Sequence, residues 1–85
     1  MGKAARLDDG TRCWRHGARS IVSASEDVTV NGRGAARVGD LWSCGAEQVE
    51  GSPDVFVDSR AWARVGDEGS HGGEIVTGSD DVGVG

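Results

Sequence analysis

The chain has 85 residues and a formal net charge of −5. Val, Ile, Leu and Phe together make up about 19% of it, and 15 residues are Gly, so an apolar core by itself is too small to hold the fold. The absence of a long apolar run, of an apolar N-terminal stretch and of a basic run excludes a transmembrane helix and argues against a secretory signal and a phosphate-tracking nucleic-acid binder.

The first element along the chain is an Ala-Arg-apolar-x-Asp segment at residues 5–9, and it returns at 36–40 and 63–67. The Gly before the final Asp in two of the copies is typical of a turn. The first copy carries Asp8 at this position, and Asp adopts the left-handed backbone conformation less readily than Gly. We therefore expect the first turn to be weaker than the other two.

The second element is Ser-x-Asp-Val-x-Val, which occurs at residues 25–30, 52–57 and 79–84. Its apolar residues alternate with period two, as they do in a half-buried strand. The Asn-Gly pair at 31–32 is typical of a β-hairpin turn, and residues 35–38 form the predicted returning strand.

The aspartates of the second element lie at 27, 54 and 81, so the repeat length is 27 residues. The first repeat carries four extra residues between the two elements. Units this short cannot bury an apolar face alone. The sequence therefore predicts an all-β fold in which three short β-hairpin repeats pack about a pseudo-threefold axis and form a small metal-bound cone. We expect one domain, residues 1–85, with repeats at approximately 5–31, 36–58 and 63–85.

Both cysteines and both histidines occupy one region of the repeat. Cys13, Cys44 and His71 each follow the final Asp of a first element by four residues, and His16 lies in the insertion, three residues after Cys13. Around a pseudo-threefold axis these side chains converge, and two Cys with two His are a ligand set of tetrahedral structural zinc. Such a site also contributes about 10–16 kcal/mol of apparent binding free energy, which offsets the small core.

Three other interpretations of these residues stay open. A disulfide between Cys13 and Cys44 requires an oxidising compartment and leaves both histidines unexplained. If the cysteines are merely buried and the histidines merely lie on the surface, three of them occupy the same position of the repeat by coincidence. A catalytic Cys–His dyad is disfavoured because further soft ligands would quench the thiolate. We therefore expect no enzymatic activity.

Two further sets of side chains carry predictions. Trp14, Trp42 and Trp62 are expected in the core, with the first two shielding the metal because they flank its ligands. An Arg also precedes each repeated Asp by three residues, which predicts either a bidentate structural brace or a solvated pair. The brace residues are Arg6 with Asp9, Arg37 with Asp40, and Arg64 with Asp67.

The Ala-Ala-Arg-Val-Gly-Asp segment at 35–40, the Gly-Ser-Pro-Asp-Val-Phe-Val run at 51–57 and the His-Gly-Gly step at 71–73 resemble the PAAR-repeat family, over essentially the whole chain. The proline of the family's name is missing from all three copies. Members of this family are small conical tips that bear zinc and cap the trimeric β-helical spike of contractile injection machines. The resemblance implies a metal ion at the vertex, either zinc or iron. Its implied ligands are Cys13, His16, Cys44 and His71.

The function implied by the resemblance is a structural, membrane-piercing tip for a type VI secretion system or a phage-like tail. Its partners would be a spike trimer of the valine-glycine-repeat or phage central spike type, capped at the cone base by one chain, and transiently the target cell envelope, but no nucleic acid. Assembly is expected in the bacterial cytoplasm, before delivery with the injection particle or virion tail. The alternative is a small zinc-binding adaptor or nucleic-acid-binding module, which the net charge and the long ligand spacing disfavour.

Overall fold

The computed structural model describes residues 2–15 and 17–85. Within these ranges the fold is all-β, as predicted, and contains no helix, so no described segment forms an apolar helix that could span a membrane. The strands are β1 (Gly2–Lys3), β2 (Gly10–Cys13), β3 (Gly17–Ser20), β4 (Thr29–Val30), β5 (Arg33–Gly34), β6 (Phe56–Val57), β7 (Arg60–Ala61), β8 (Glu74–Ile75) and β9 (Gly83–Val84).

The strands pair in an antiparallel manner and most pairs are local hairpins. β2 pairs with β3 through four residue pairs, from Gly10 opposite Ser20 to Cys13 opposite Gly17, and β8 joins the other edge of β2. The pairs β4–β5 and β6–β7 are short hairpins. β1 pairs with β9 in the same way, so two segments far apart in sequence form a unit that resembles those two hairpins.

The predicted Asn-Gly hairpin turn is confirmed. Asn31 and Gly32 have φ angles of 54° and 78°, and two positive φ angles are what a type I′ turn requires. The predicted returning strand at 35–38 is wrong, because a two-residue turn brings Arg33 directly opposite Val30. The returning strand is therefore β5, and after it Ala35 and Arg37 form isolated β-bridges with Arg6 and Trp62.

Positive φ angles also occur at residues whose type does not predict them. The β6–β7 turn uses Asp58 and Ser59, with φ angles of 52° and 67°. Asp8 has a φ of 72°, whereas Gly39 and Gly66 at the corresponding positions each have 96°. The first repeated segment thus places an Asp in the left-handed conformation, where a Gly would adopt it with less strain.

The centre of the molecule is a closed ring of three backbone hydrogen bonds. The Ala36 N–H donates to the Ala5 carbonyl (3.0 Å), the Ala63 N–H to Ala36 (2.9 Å), and the Ala5 N–H to Ala63 (3.0 Å). All three residues are buried. Three backbones meet at this point, and only a small side chain leaves room for them. This packing explains an alanine before each repeated Arg.

The apolar core continues from this ring around one buried indole. Trp42 is 1% exposed and shares a buried cluster with Ile21, Ile75 and Cys13. Its Nε1–H donates to the Gln48 side-chain oxygen at 2.9 Å, and the Gln48 amide donates in turn to two backbone carbonyls. A buried polar group satisfied in this way carries no desolvation penalty from an unmade bond.

Candidate metal centre

Cys13 reaches the buried core from a strand. It is the last residue of β2, is 1% exposed, and lies opposite Gly17 in the β2–β3 hairpin. A Cβ on Gly73 would lie 1.8 Å from the Arg12 carbonyl oxygen, so the segment after His71 packs directly on the backbone of β2. This close approach brings the first and third predicted repeats together at Cys13.

Cys44 and His71 are held by two turns of the same design. In one, the Gly45 N–H donates to the Trp42 carbonyl at 2.9 Å; in the other, the Gly72 N–H donates to the Gly69 carbonyl at 3.0 Å. Each candidate ligand is the third residue of its turn, and each is followed by a glycine with positive φ. Equivalent local geometry therefore presents two chemically different ligands from corresponding positions.

The three side chains meet. The Nδ1 atom of His71 lies 3.8 Å from the sulfur of Cys13 and 3.8 Å from the sulfur of Cys44, and the three donor atoms all lie within 4.8 Å of one another. Zinc–sulfur and zinc–nitrogen bond lengths place two corners of a tetrahedron about 3.6 Å apart. The distances and the soft donor set thus fit a metal ion, and these residues could hold one.

The fourth predicted ligand, His16, lies outside the described residues. Cys13 and Cys44 are not joined by a disulfide, so the disulfide alternative gains no support from the structure. Cys44 and His71 are each partly exposed, whereas Cys13 is buried. The cluster therefore lies at the edge of the core, with the Trp42 cluster packed beneath it.

The three tryptophans lie in different environments, and Trp62 is half-buried, with its Nε1–H donating to the Ala5 carbonyl at 3.2 Å. Trp42 belongs to the core next to the cysteines, as predicted. The prediction that Trp14 is also a core residue is wrong, because its side chain is 76% exposed. Its ring lies across Gly72, where a Cβ would approach the indole to 2.7 Å. Since β2 ends at Cys13, the next residue turns outward instead of continuing into the core.

Three buried ion pairs surround the Ala5–Ala36–Ala63 ring. In each one, the aspartate accepts the arginine's own backbone N–H at 2.8 Å and two guanidinium N–H groups at 2.9–3.0 Å. The side-chain hydrogen bond to the aspartate raises the pKa of each guanidinium above its usual value. The pairs are Arg6–Asp9, Arg37–Asp40 and Arg64–Asp67, with the bidentate geometry of a brace.

A second set of contacts links each segment to the next. The hydroxyl of Ser79 donates to the Asn31 side chain, that of Ser25 to Asp58, and that of Ser52 to the Gly85 carbonyl. Each hydroxyl also accepts the backbone N–H groups two and three residues further on. Sequence reasoning missed this role, although serine begins all three copies of the second element.

The comparison with protein families agrees with this geometry. The family model described as PAAR motif matches residues 2–49 and 15–77, which together span nearly the whole chain. The chain belongs to the PAAR-motif family. The resemblance based on the repeated segments is thereby confirmed. No curated protein matches the chain.

Membership of the PAAR-motif family places the chain among spike-tip proteins of secretion or phage systems, a family that is structural and not enzymatic. The candidate metal centre is consistent with this assignment, since Cys13, Cys44 and His71 are brought together by segments far apart in sequence.

Proposed function

We propose that this PAAR-motif protein is a membrane-piercing tip that caps the trimeric β-helical spike of a contractile injection apparatus, either a type VI secretion system or a phage-like tail. One zinc ion stabilises the vertex, held by Cys13, Cys44 and His71 with His16 as the fourth ligand. The observation that carries the proposal is the convergence of one soft ligand from each predicted repeat. The work is mechanical and requires no chemistry on the target.

The base of the tip is the face that would dock on the spike. Three equivalent two-stranded units are formed by β4–β5, β6–β7 and β1–β9. In each, one strand (β5, β7 or β1) ends two residues before an alanine of the ring, and a candidate metal ligand follows that alanine by eight residues. Each unit buries one valine, namely Val30, Val57 or Val84. A single chain with three such units can match the three strand ends of a trimer at once, which supports a monomeric cap.

A nucleic-acid module is not supported by the charges. Six of the nine Lys and Arg residues already form ion pairs with carboxylates, and binding to a polyphosphate backbone requires free cations. Assembly in the bacterial cytoplasm, followed by delivery with the particle into the target envelope, completes the proposal.

Metal analysis of the purified protein tests the zinc centre. We expect one zinc ion per chain, its loss in His71→Ala, and a folded apo form only at greatly reduced stability, because structural zinc contributes folding free energy directly. Glu47→Gln is the matched control, as an exposed side chain three residues from Cys44. Retention of full zinc and a normal melting curve by His71→Ala would exclude this centre.

Native mass spectrometry with the trimeric spike protein encoded nearest to this chain tests the cap. The expected complex contains one copy of this chain for each spike trimer. A complex with three copies, or none at micromolar concentration, would contradict the proposal.

A further inference from the structure

An exposed indole projects from the β2–β3 hairpin. Trp14 is 76% exposed, the largest exposed fraction among the exposed large apolar side chains of the described residues. Gly72 lies under the ring and leaves no room for a Cβ there, so the indole rests on backbone without being buried. A tryptophan held in place at the surface is available to a partner, because its apolar body and its N–H donor suit the boundary between apolar and polar layers.

The Lys and Arg side chains fall into two groups, those that form ion pairs and those of the hairpin that carries this indole. Lys3, Arg6, Arg33, Arg37, Arg60 and Arg64 all form ion pairs with carboxylates. Within the described ranges, the three cations outside any ion pair are Arg12, Arg15 and Arg19, and all three are exposed on or beside the β2–β3 hairpin.

The hairpin is therefore basic within an acidic protein. Residues 10–20 carry these three arginines and no acid, whereas the rest of the chain has six Lys and Arg against 14 acids, a net charge of −8. One acid faces the hairpin across the sheet, since Glu74 of β8 lies opposite Arg12. Arg19 lies opposite Thr11, on the other face of the hairpin from Arg12, and Arg15 lies between the two strands.

We propose that the β2–β3 hairpin binds an anionic lipid surface, with Arg12, Arg15 and Arg19 on the phosphates and Trp14 at the boundary of the acyl layer. Guanidinium groups bind phosphate in a bidentate manner, and tryptophan is enriched at membrane–water interfaces. The inference rests on the proposed function, because it names the surface that the tip contacts first.

A bilayer fits this hairpin better than a nucleic acid does. Three arginines are fewer than the six to ten phosphate contacts of a typical duplex binder. A lipid surface offers phosphates with an apolar layer directly beneath them, so a hairpin that enters tip first meets phosphates on both of its faces and the apolar layer at Trp14.

Vesicle co-sedimentation of the full, zinc-loaded chain tests the proposal. We expect binding to vesicles of phosphatidylcholine with phosphatidylglycerol, little binding to phosphatidylcholine alone, and weakening by added salt. Each Arg→Gln change in the hairpin lowers the partition coefficient about fivefold, and the triple variant about 100-fold. Brominated lipid quenches the fluorescence of the wild type but not that of Trp14→Ala.

Matched controls distinguish binding by the hairpin from nonspecific binding to vesicles. Lys3→Gln removes one exposed cation from β1, and Phe56→Ala removes an aromatic side chain that is 58% exposed on β6. Both are expected to bind vesicles like the wild type. Equal loss in Lys3→Gln and Arg15→Gln, equal binding to neutral vesicles, or tighter binding to a single-stranded oligonucleotide at the same phosphate concentration would overturn the inference.

The spike assay keeps the two proposals distinguishable. If the chain caps the spike trimer but does not bind anionic vesicles, the lipid inference alone is overturned. A chain that binds the vesicles through the hairpin but forms no complex with the trimer overturns the proposed function and leaves the lipid surface standing.

Discussion

The contribution of the buried braces can be measured at Asp40. Its Oδ2 accepts the backbone N–H of Arg37 at 2.8 Å and the Nε–H at 2.9 Å. Its Oδ1 accepts the Nη2 groups of Arg37 and Arg60 at 2.9 and 3.1 Å, and the Ser23 hydroxyl at 3.2 Å. Asp40→Asn keeps the shape but replaces one oxygen with an NH₂ group, which then faces at least two donors in either orientation.

The expected cost follows from burial. Asp40 is 3% exposed and the Arg37 side chain 14%, so solvent screens this pair weakly, and removing one partner of a buried pair costs about 3–5 kcal/mol. Arg60 is 41% exposed and adds only about 0–1 kcal/mol. In a domain of this size 1 kcal/mol shifts Tm by about 4–8 °C, so we expect Tm to fall by about 12 °C or more.

Urea unfolding followed by tryptophan fluorescence, at a fixed saturating zinc concentration, measures this difference. Asp67→Asn is expected to cost less than Asp40→Asn, because Asp67 pairs with Arg64 alone among the described residues. Asp54→Asn, an exposed acid, is the control and should stay within about 0.5 kcal/mol of the wild type. An Asp40→Asn variant within about 1 kcal/mol of the wild type would refute the buried-brace reasoning.

Two further substitutions test the backbone and the charges. Gly73→Ala is expected to lower the free energy of unfolding by more than about 3 kcal/mol, since its φ is +89° and a Cβ would collide with a backbone carbonyl of β2. A nearly unchanged melting curve would contradict this packing. The Ser25 hydroxyl and then Arg37 lower the pKa of Asp58 below its usual value. Asp58 therefore stabilises the fold above about pH 4, where the unfolded carboxyl is ionised, and this contribution is lost as pH falls through the folded pKa. In the Asp58→Asn variant, Ser25 donates to an amide oxygen, as Ser79 does to Asn31 in the native protein. The melting temperature of this variant should depend less on pH, between about 2 and 5, than that of the wild type. Identical pH profiles would exclude the effect.

The candidate metal centre was largely predictable from spacing. Cys13, Cys44 and His71 follow the same repeated Asp by four residues, and equivalent positions of packed repeats approach one another. The environment of the tryptophans was not predictable in this way. Trp14 and Trp42 both flank a candidate ligand, yet one is 76% exposed and the other 1%, because exposure depends on which segment packs against each ring.

Some local features could not be predicted either, because their signals in the sequence are weak. The Asp58–Ser59 turn has the φ angles of the Asn31–Gly32 turn but lacks its glycine, so composition does not mark it. The pairing of β1 with β9 has no turn at all. Such contacts join residues distant in sequence and leave no periodic pattern.

By itself, the order of residues determined the all-β class, the Asn-Gly turn and the register of the soft ligands, because these depend on backbone preferences and on distances along the chain. Only the tertiary structure decided that three alanines close a ring and that the Arg–Asp pairs are buried braces. It also decided that one tryptophan lies on the surface of a hairpin whose three arginines form no ion pair with any other described residue. The physical reason is that burial and ion pairing depend on which distant segments come to share a surface, and the repeats of this protein differ in what their neighbours present to them.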